Sequence, residues 1–284
     1  MTERLKEKID RLKKRRPAYK ELLDFYEKVV TEQVGIKPRL VVPPVETEGD
    51  FKNLQTREGF PLITKEDFIL DIPSSVMLFE YLCEIGKNTT EKMKEDIRKI
   101  DRAVREGTVH LEMLLKKHYD ESYLDEMIEA LELDGHILKF LIHMSIKPSL
   151  DANVSKLKDE VDLKNWLRGY CPICGSLPKI SELRGEGQRY LICSFCGFKW
   201  QGERLSCPFC ENRDHETLHY FYAEGQEAYR LDVCEKCRQY IKTIDTRKLD
   251  YEPEPNLEDI TTMHLDLLAS EKGFKRSTPS PWYP

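Results

Sequence analysis

The sequence predicts an α+β protein, with a helical N-terminal half, a small cysteine-rich β region and a short C-terminal helix. Three observations carry this. Apolar residues recur at spacings of three and four through residues 1–165. Eight of the nine cysteines fall within residues 171–237, among short β-like runs. The stretch "NLEDITTMHLDLLASEKGF" then returns to helical spacing. The expected division is a helical domain over 1–165, two four-cysteine metal-binding segments over 166–248, and a C-terminal helix and tail over 249–284.

The helical half begins with a basic block, residues 4–20, in which Leu5, Ile9 and Leu12 keep helical spacing. It reads as one face of a solvated amphipathic helix rather than a surface for RNA or membrane. "AYKELLDFYEKVVTEQ" places Leu22, Phe25 and Val29 together. "SVMLFEYLCEIG" is a short apolar helix ending at Gly86, and two longer runs cover 91–118 and 122–146. Pro148 is expected to close the last long helix. Residues 35–63 hold many Pro and Gly and read as a long, partly ordered connection.

At Trp166 the texture changes. "RYLICSF", "GFKW", "LHYFYA" and "AYRLDVC" alternate with turns at Gly185-Glu186-Gly187 and Glu224-Gly225, which is a hairpin texture. In the C-terminal helix Asn256 is the expected N-cap, with Asp259 three residues on, and Gly273 stands where a C-terminal glycine belongs. "STPSPWYP" reads as a loose tail.

Composition narrows the function classes. The 284 residues carry 45 Lys and Arg against 51 Asp and Glu, a net charge of −6. A nucleic-acid binder normally shows a basic surplus, so the balance argues against one. No apolar run is long enough to span a membrane. Arg15-Arg16 precede no apolar stretch, so neither a secretory nor a twin-arginine signal is read there. The expected compartment is the cytoplasm, where thiols stay reduced and paired cysteines serve more often as metal ligands than as disulfides.

The cysteines form four C-x-x-C pairs: Cys171/Cys174, Cys193/Cys196, Cys207/Cys210 and Cys234/Cys237. Eighteen residues separate the first pair from the second and 23 the third from the fourth. Those gaps suit a hairpin that returns one pair to face the other, giving two sets of four thiolates, each able to surround a tetrahedral zinc or iron ion. A disulfide framework lacks an export signal, and a thioredoxin-like couple needs one pair at a helix start. Two structural metal ions per chain are therefore expected. Closed all-thiolate sites leave no open coordination position, so metal catalysis is not expected.

Gly175 and Gly197 follow the first two pairs and can take the positive φ that aims backbone N–H groups at sulfur. Glu211 and Arg238 stand at the matching places in the second set, which is expected to bind metal less firmly. Cys83 lies in an apolar helix and reads as a small buried residue. His215 and His219 lie inside the second metal loop, where four cysteines already suffice. Around the sites are Tyr170, Arg189, Tyr190, Trp200, Arg204, Tyr229, Arg230, Tyr240 and Lys242. Two readings stand for these: a cover over the metals, or a protein-binding surface rich in Arg and Tyr.

"WLRGYCPICGSLP", "GQRYLICSFCGFKW", "RLSCPFCE", "CEKCRQYIKT" and "LDLLASEKGF" resemble, in order from Trp166 to Arg276, the formate dehydrogenase accessory protein family FdhE. The resemblance implies a helical domain joined to two rubredoxin-like metal ribbons. It implies a cytoplasmic, non-catalytic maturation factor that binds the catalytic subunit of a molybdenum- or tungsten-containing formate dehydrogenase. By position it makes the eight paired cysteines ligands to iron or zinc, and it matches the neighbourhood of Tyr170, Arg189, Tyr190 and Tyr240. With Arg204, these form the expected partner surface. The alternatives are a rubredoxin-like iron electron carrier and a zinc-ribbon nucleic-acid binder. No nucleophile–base pair, phosphate loop or paired-carboxylate motif suggests an enzyme.

Overall fold

A computed structural model describes residues 3–45, 58–163, 166–278 and 280. It divides into two compact units, residues 1–45 with 65–155, and residues 46–64 with 156–284.

The first unit is helical: α1 (Glu3–Arg15), α2 (Lys20–Ile36), α3 (Ile72–Gly86), α4 (Glu91–Arg105), α5 (Leu111–Lys116), α6 (Glu121–Ala130) and α7 (Gly135–Leu157). Short polar side chains start three of them. Asp71, Thr90 and Asp120 each accept a hydrogen bond from the backbone N–H three residues on, satisfying a donor that the helix itself cannot. The basic block forms α1, whose Ile9 and Leu12 are buried, while Lys13 pairs with Asp24 and Glu27 of α2. Of the connection read over 35–63, residues 46–57 lie outside the described residues.

Pro148 does not end its helix; α7 continues through it to Leu157. A proline at this position leaves the carbonyl four residues earlier without its N–H partner. That carbonyl belongs to Met144, and the buried side chain of Gln33 on α2 donates to it from Nε2 at 2.7 Å. The missing bond is replaced from another helix, which no local pattern around Pro148 announces. Further along α7, Asn153 holds the backbone of Ile69 through both its N–H and its C=O, and Ser149 accepts from the N–H of Asp71.

The second unit carries a seven-stranded sheet and two short helices. Its elements are β1 (Pro178–Arg184), β2 (Gln188–Cys193), β3 (Lys199–Gly202), β4 (Leu218–Tyr222), β5 (Tyr229–Cys234), β6 (Gln239–Asp245), α8 (Pro255–Thr261), α9 (Met263–Glu271) and β7 (Lys275–Arg276). The strand order is β3-β2-β1-β6-β5-β4, with β7 also on β6. Two antiparallel meanders, β1–β3 and β4–β6, are thus the two ribbons. They share one sheet because Ile180 to Leu183 pair in parallel with Lys242 to Asp245.

One face of this sheet is apolar. Ile180, Ile192, Leu231, Val233 and Ile244 cluster there with Leu265, Ala269 and Phe274 from the C-terminal segment. Within the cover lies a buried ionic group: Lys242 pairs with Asp259 and Asp266, and Arg276 pairs with the same two carboxylates. Two acids and two bases balance, as burial of charge requires.

Two local expectations change here. Glu254, not Asn256, caps α8, its carboxylate accepting from the N–H of Asn256, while Asp259 is taken up by the ionic group. The tail is not loose at Thr278 and Ser280. Arg276 is held by both carboxylates, and Thr278 and Ser280 are buried. Residues 279 and 281–284 of it lie outside the described residues. Gly273 does end α9 in the left-handed region, at φ 76°.

The replaced bond in α7 is measurable. Gln33→Leu leaves a buried carbonyl unsatisfied and should cost about 1–3 kcal/mol in denaturant unfolding. In a Pro148→Ala background the helix supplies its own N–H, so the same substitution should cost less. Equal costs in the two backgrounds would show that Gln33 acts through packing alone.

Candidate metal centres

Each meander presents its cysteines in the same way. One C-x-x-C pair lies in the loop before the first strand, and the other ends the second strand and enters the turn to the third. Cys171 and Cys174 precede β1, and Cys193 and Cys196 lie at the end of β2. Cys207 and Cys210 precede β4, and Cys234 and Cys237 lie at the end of β5. Hairpin closure therefore sets pair against pair. Within each group the four Sγ atoms all lie within 4.8 Å of one another.

Closer spacings are more telling. Cys174 Sγ is 3.5 Å from Cys193 and 3.6 Å from Cys196, and Cys171 is 3.6 Å from Cys196. In the second group Cys207–Cys237 and Cys210–Cys234 are both 3.7 Å. Four sulfurs at about 2.3 Å from a central zinc stand about 3.8 Å apart along a tetrahedron's edges. The observed spacings fit that arrangement, and each group can hold one metal ion.

Backbone geometry repeats across the knuckles. The N–H of Gly175, Glu211 and Arg238 donates to the carbonyl of Cys171, Cys207 and Cys234 respectively, at 2.9–3.0 Å. The residue after each pair is left-handed, with φ of 72° at Gly175, 78° at Gly197, 57° at Glu211 and 58° at Arg238. The second group adopts the same fold as the first but with side chains on two strained positions, at about 1–2 kcal/mol each. Gly169, just before the first knuckle, is needed for another reason. A Cβ there would lie 1.9 Å from the carbonyl oxygen of Pro208, so the two knuckle loops touch where only hydrogen fits.

Without a cation these thiols divide. Burial pushes Cys171, Cys196 and Cys207 up, and Cys237 to about 11. Thiol hydrogen bonds from Cys171, Cys193 and Cys196 hold Cys174 well down. Burial acts upward on Cys234 too, but the Cys237 N–H, the Asn212 amide and the Cys210 thiol hold it at about 7. The fold thus favours the thiolate at Cys174 and Cys234 and opposes it at Cys171, Cys196, Cys207 and Cys237, which a cation must overcome. The groups also differ in exposure. All four cysteines of the first are buried, while Cys210 and Cys237 of the second are half-buried.

The eight paired cysteines lie within the part of the chain that matches known family models. Residues 170–204 match the FdhE central domain and residues 205–283 the FdhE C-terminal domain. The FdhE homolog of Aquifex aeolicus is 29% identical over 273 residues, 94% of this chain and 90% of that protein. The chain is similar to the FdhE family, its cysteine-bearing part matching two FdhE domain models. The FdhE homolog of Stutzerimonas stutzeri is 32% identical over 136 residues, and that alignment spans 46% of this chain and 42% of its partner. The crystal structure of the FdhE protein from Pseudomonas aeruginosa has a similar fold, with TM-score 0.72 at 20% identity. The match covers 98% of this chain and 93% of that one.

The residues expected to form an exposed partner surface separate. Arg204 is exposed, and Tyr170 and Tyr190 are half-buried. Arg189 and Tyr240 are buried, against expectation. Tyr240 faces α9 and donates to Asp266, and Arg189 runs along the opposite face of the sheet to the carbonyl of Ser206. Trp200, Tyr229 and Lys242 are buried as well. Tyr170 donates to the carbonyl of Gly59, and the N–H groups of Leu62 and Ile63 bind the carbonyls of Pro172 and Ile173. Segment 58–64 thereby backs the first knuckle. Cys83 is buried in α3, and its thiol is pushed up to about 12, chiefly by burial. Asn212 was not anticipated. Its amide donates to Cys234 Sγ and Thr217, and its carbonyl accepts from Cys207. The only sequence signal was an amide two residues after Cys210.

Metal analysis should find two ions per folded chain, with the second lost first to a chelator. Cys171→Ser should then destabilise the β unit more than Cys234→Ser, since the buried group leaves less water to compensate. Elemental analysis and thermal unfolding with graded chelator check both points.

Strain at the second group gives a separate expectation. Glu211 is exposed and its nearest partner is Arg168 at 3.8 Å, so Glu211→Gly removes little contact. It should slow chelator-driven loss from that group by a factor of about two to five, strain relief being partly offset by unfolded-chain entropy.

Proposed function

We propose that this chain is a cytoplasmic maturation chaperone that holds the catalytic subunit of a molybdenum- or tungsten-containing formate dehydrogenase during assembly. Similarity to the FdhE family supports the accessory role. The observation that carries it is the form of the metal groups. Each presents four sulfurs closing on one point, which leaves a bound ion no position for substrate and makes the metals part of the framework. Among the described residues no helix is long and apolar enough to cross a membrane. The net charge of −6 weighs against a nucleic-acid partner.

The partner surface proposed from sequence comprised Tyr170, Arg189, Tyr190, Arg204 and Tyr240. Arg204 and Tyr190 are the two of these best placed to meet a partner directly, the others being engaged within the unit. Arginine and tyrosine lose little freedom on contact, so a pair can dominate an interface. An iron-bearing electron carrier is a second reading, favoured only because all-thiolate tetrahedra suit iron as well as zinc.

Co-purification is the test. The catalytic subunit should be captured by the metal-loaded chain, and Tyr190→Ala with Arg204→Ala should weaken capture about tenfold with both metals retained. Unchanged capture by that double variant would remove those residues from the surface. No capture by the wild type, together with a reversible one-electron couple on the iron form, would replace the chaperone reading with electron transfer.

A further inference from the structure

Arg189 is the least explained charge in the β unit. It is 4% exposed, yet of its five N–H donors one makes a firm bond, from Nη1 to the carbonyl of Ser206 at 2.9 Å. Its Nε is buried with no hydrogen-bond partner. Its one ion pair, to Asp232, is long at 3.5 Å. Asp232 is moreover already engaged, by Arg230 at 2.9 Å and by the Thr243 hydroxyl at 2.6 Å. A buried guanidinium so poorly matched is costly unless another negative charge stands near.

That charge is available beside it. Arg189, Cys207 and Cys234 line the same cavity of about 120 Å3, and Ser206 immediately precedes Cys207. Four thiolates around a divalent ion carry two net negative charges, buried on one side and half-open on the other. Arg230 also lines the cavity and its Nε likewise makes no hydrogen bond, but Asp232 stands 2.9 Å from it, and Arg204 stands in solvent. Arg189 is the cation left over.

We propose that Arg189 is the built-in counter-charge of the second thiolate group, raising that group's affinity for a cation. It touches no metal and acts on the group through the field it sets up. The first group is farther along the strand. Cys193 lies four residues from Arg189 on β2, about 13 Å between backbones, and a charge acts more weakly with distance.

The two groups therefore report on each other within one molecule. Cobalt(II) titration against a competing chelator, followed by the sulfur-to-cobalt absorption, measures both affinities. Arg189→Met should lower second-group affinity about tenfold and leave the first unchanged, and Arg189→Lys should recover most of the loss. Asp232→Asn should raise second-group affinity severalfold, because a competing negative charge is removed while an oxygen remains for Thr243. Structural damage could only lower it, so a rise with Asp232→Asn supports the proposal, and a loss or no change while first-group affinity and thermal unfolding stay as in the wild type would overturn it. So would equal losses at both groups with Arg189→Met, no change with it, or a lysine variant as weak as methionine.

Discussion

Eight sulfurs gathered into two groups, with neighbours 3.5 to 3.7 Å apart, constrain everything else in the β unit. Four thiolates so close in a dry setting repel one another, and four buried thiols bind no better than weak donors and acceptors do. A cation resolves the conflict, and its binding energy then becomes folding energy. Because the knuckles sit at the ends of β2 and β5, the same ions fix how each meander closes. The sheet does not rest on metal alone, however. Ile180, Leu231, Ile244 and their neighbours form an apolar layer under α8 and α9, with Tyr240 and Lys242 rooted in the ionic group beside it.

The two faces of the sheet handle charge differently. Toward the helices, Lys242 and Arg276 meet Asp259 and Asp266 within 3.0 Å, and the four charges cancel. Such a group adds little net stability compared with apolar packing, but removing one member leaves a buried charge without a partner. It therefore ties down the C-terminal segment, since Arg276, which meets both carboxylates, lies in β7 paired with β6. On the opposite face the local count of carboxylates falls short, and the thiolate group makes up the difference.

Local features were legible in the sequence and distant ones were not. The C-x-x-C spacings lead to two four-sulfur groups because a hairpin is a short-range object, and its turn residues lie beside the cysteines they bring round. The parallel pairing of Ile180 with Lys242 joins segments 62 residues apart, and no alternation within either strand encodes it. Pro148 misleads for the same reason, since Gln33, far earlier in the chain, supplies the hydrogen bond that proline removes. Arg189 and Tyr240 are polar residues in strands, which by type belong at the surface. Their burial depends on Ser206, Asp232 and Asp266, partners that only the folded sheet brings near.

The left-handed residues show how one local cost is carried by a larger arrangement. Glycine at position 238 would relax the backbone of the fourth knuckle, as Gly175 and Gly197 do for the first two. Arg238 instead lies 4.2 Å over the ring of Phe274, donates to the carbonyl of Lys272 and pairs with Glu235. Its own carbonyl accepts from the N–H of Lys275, the first residue of β7. The strained residue is thus the point where the second metal group and the end of α9 hold each other. Glu211 has no such contacts, so its strain at the third knuckle is not offset in this way. The departure from glycine therefore has two different meanings within one metal group, and at Arg238 it binds the C-terminal segment to the ligands.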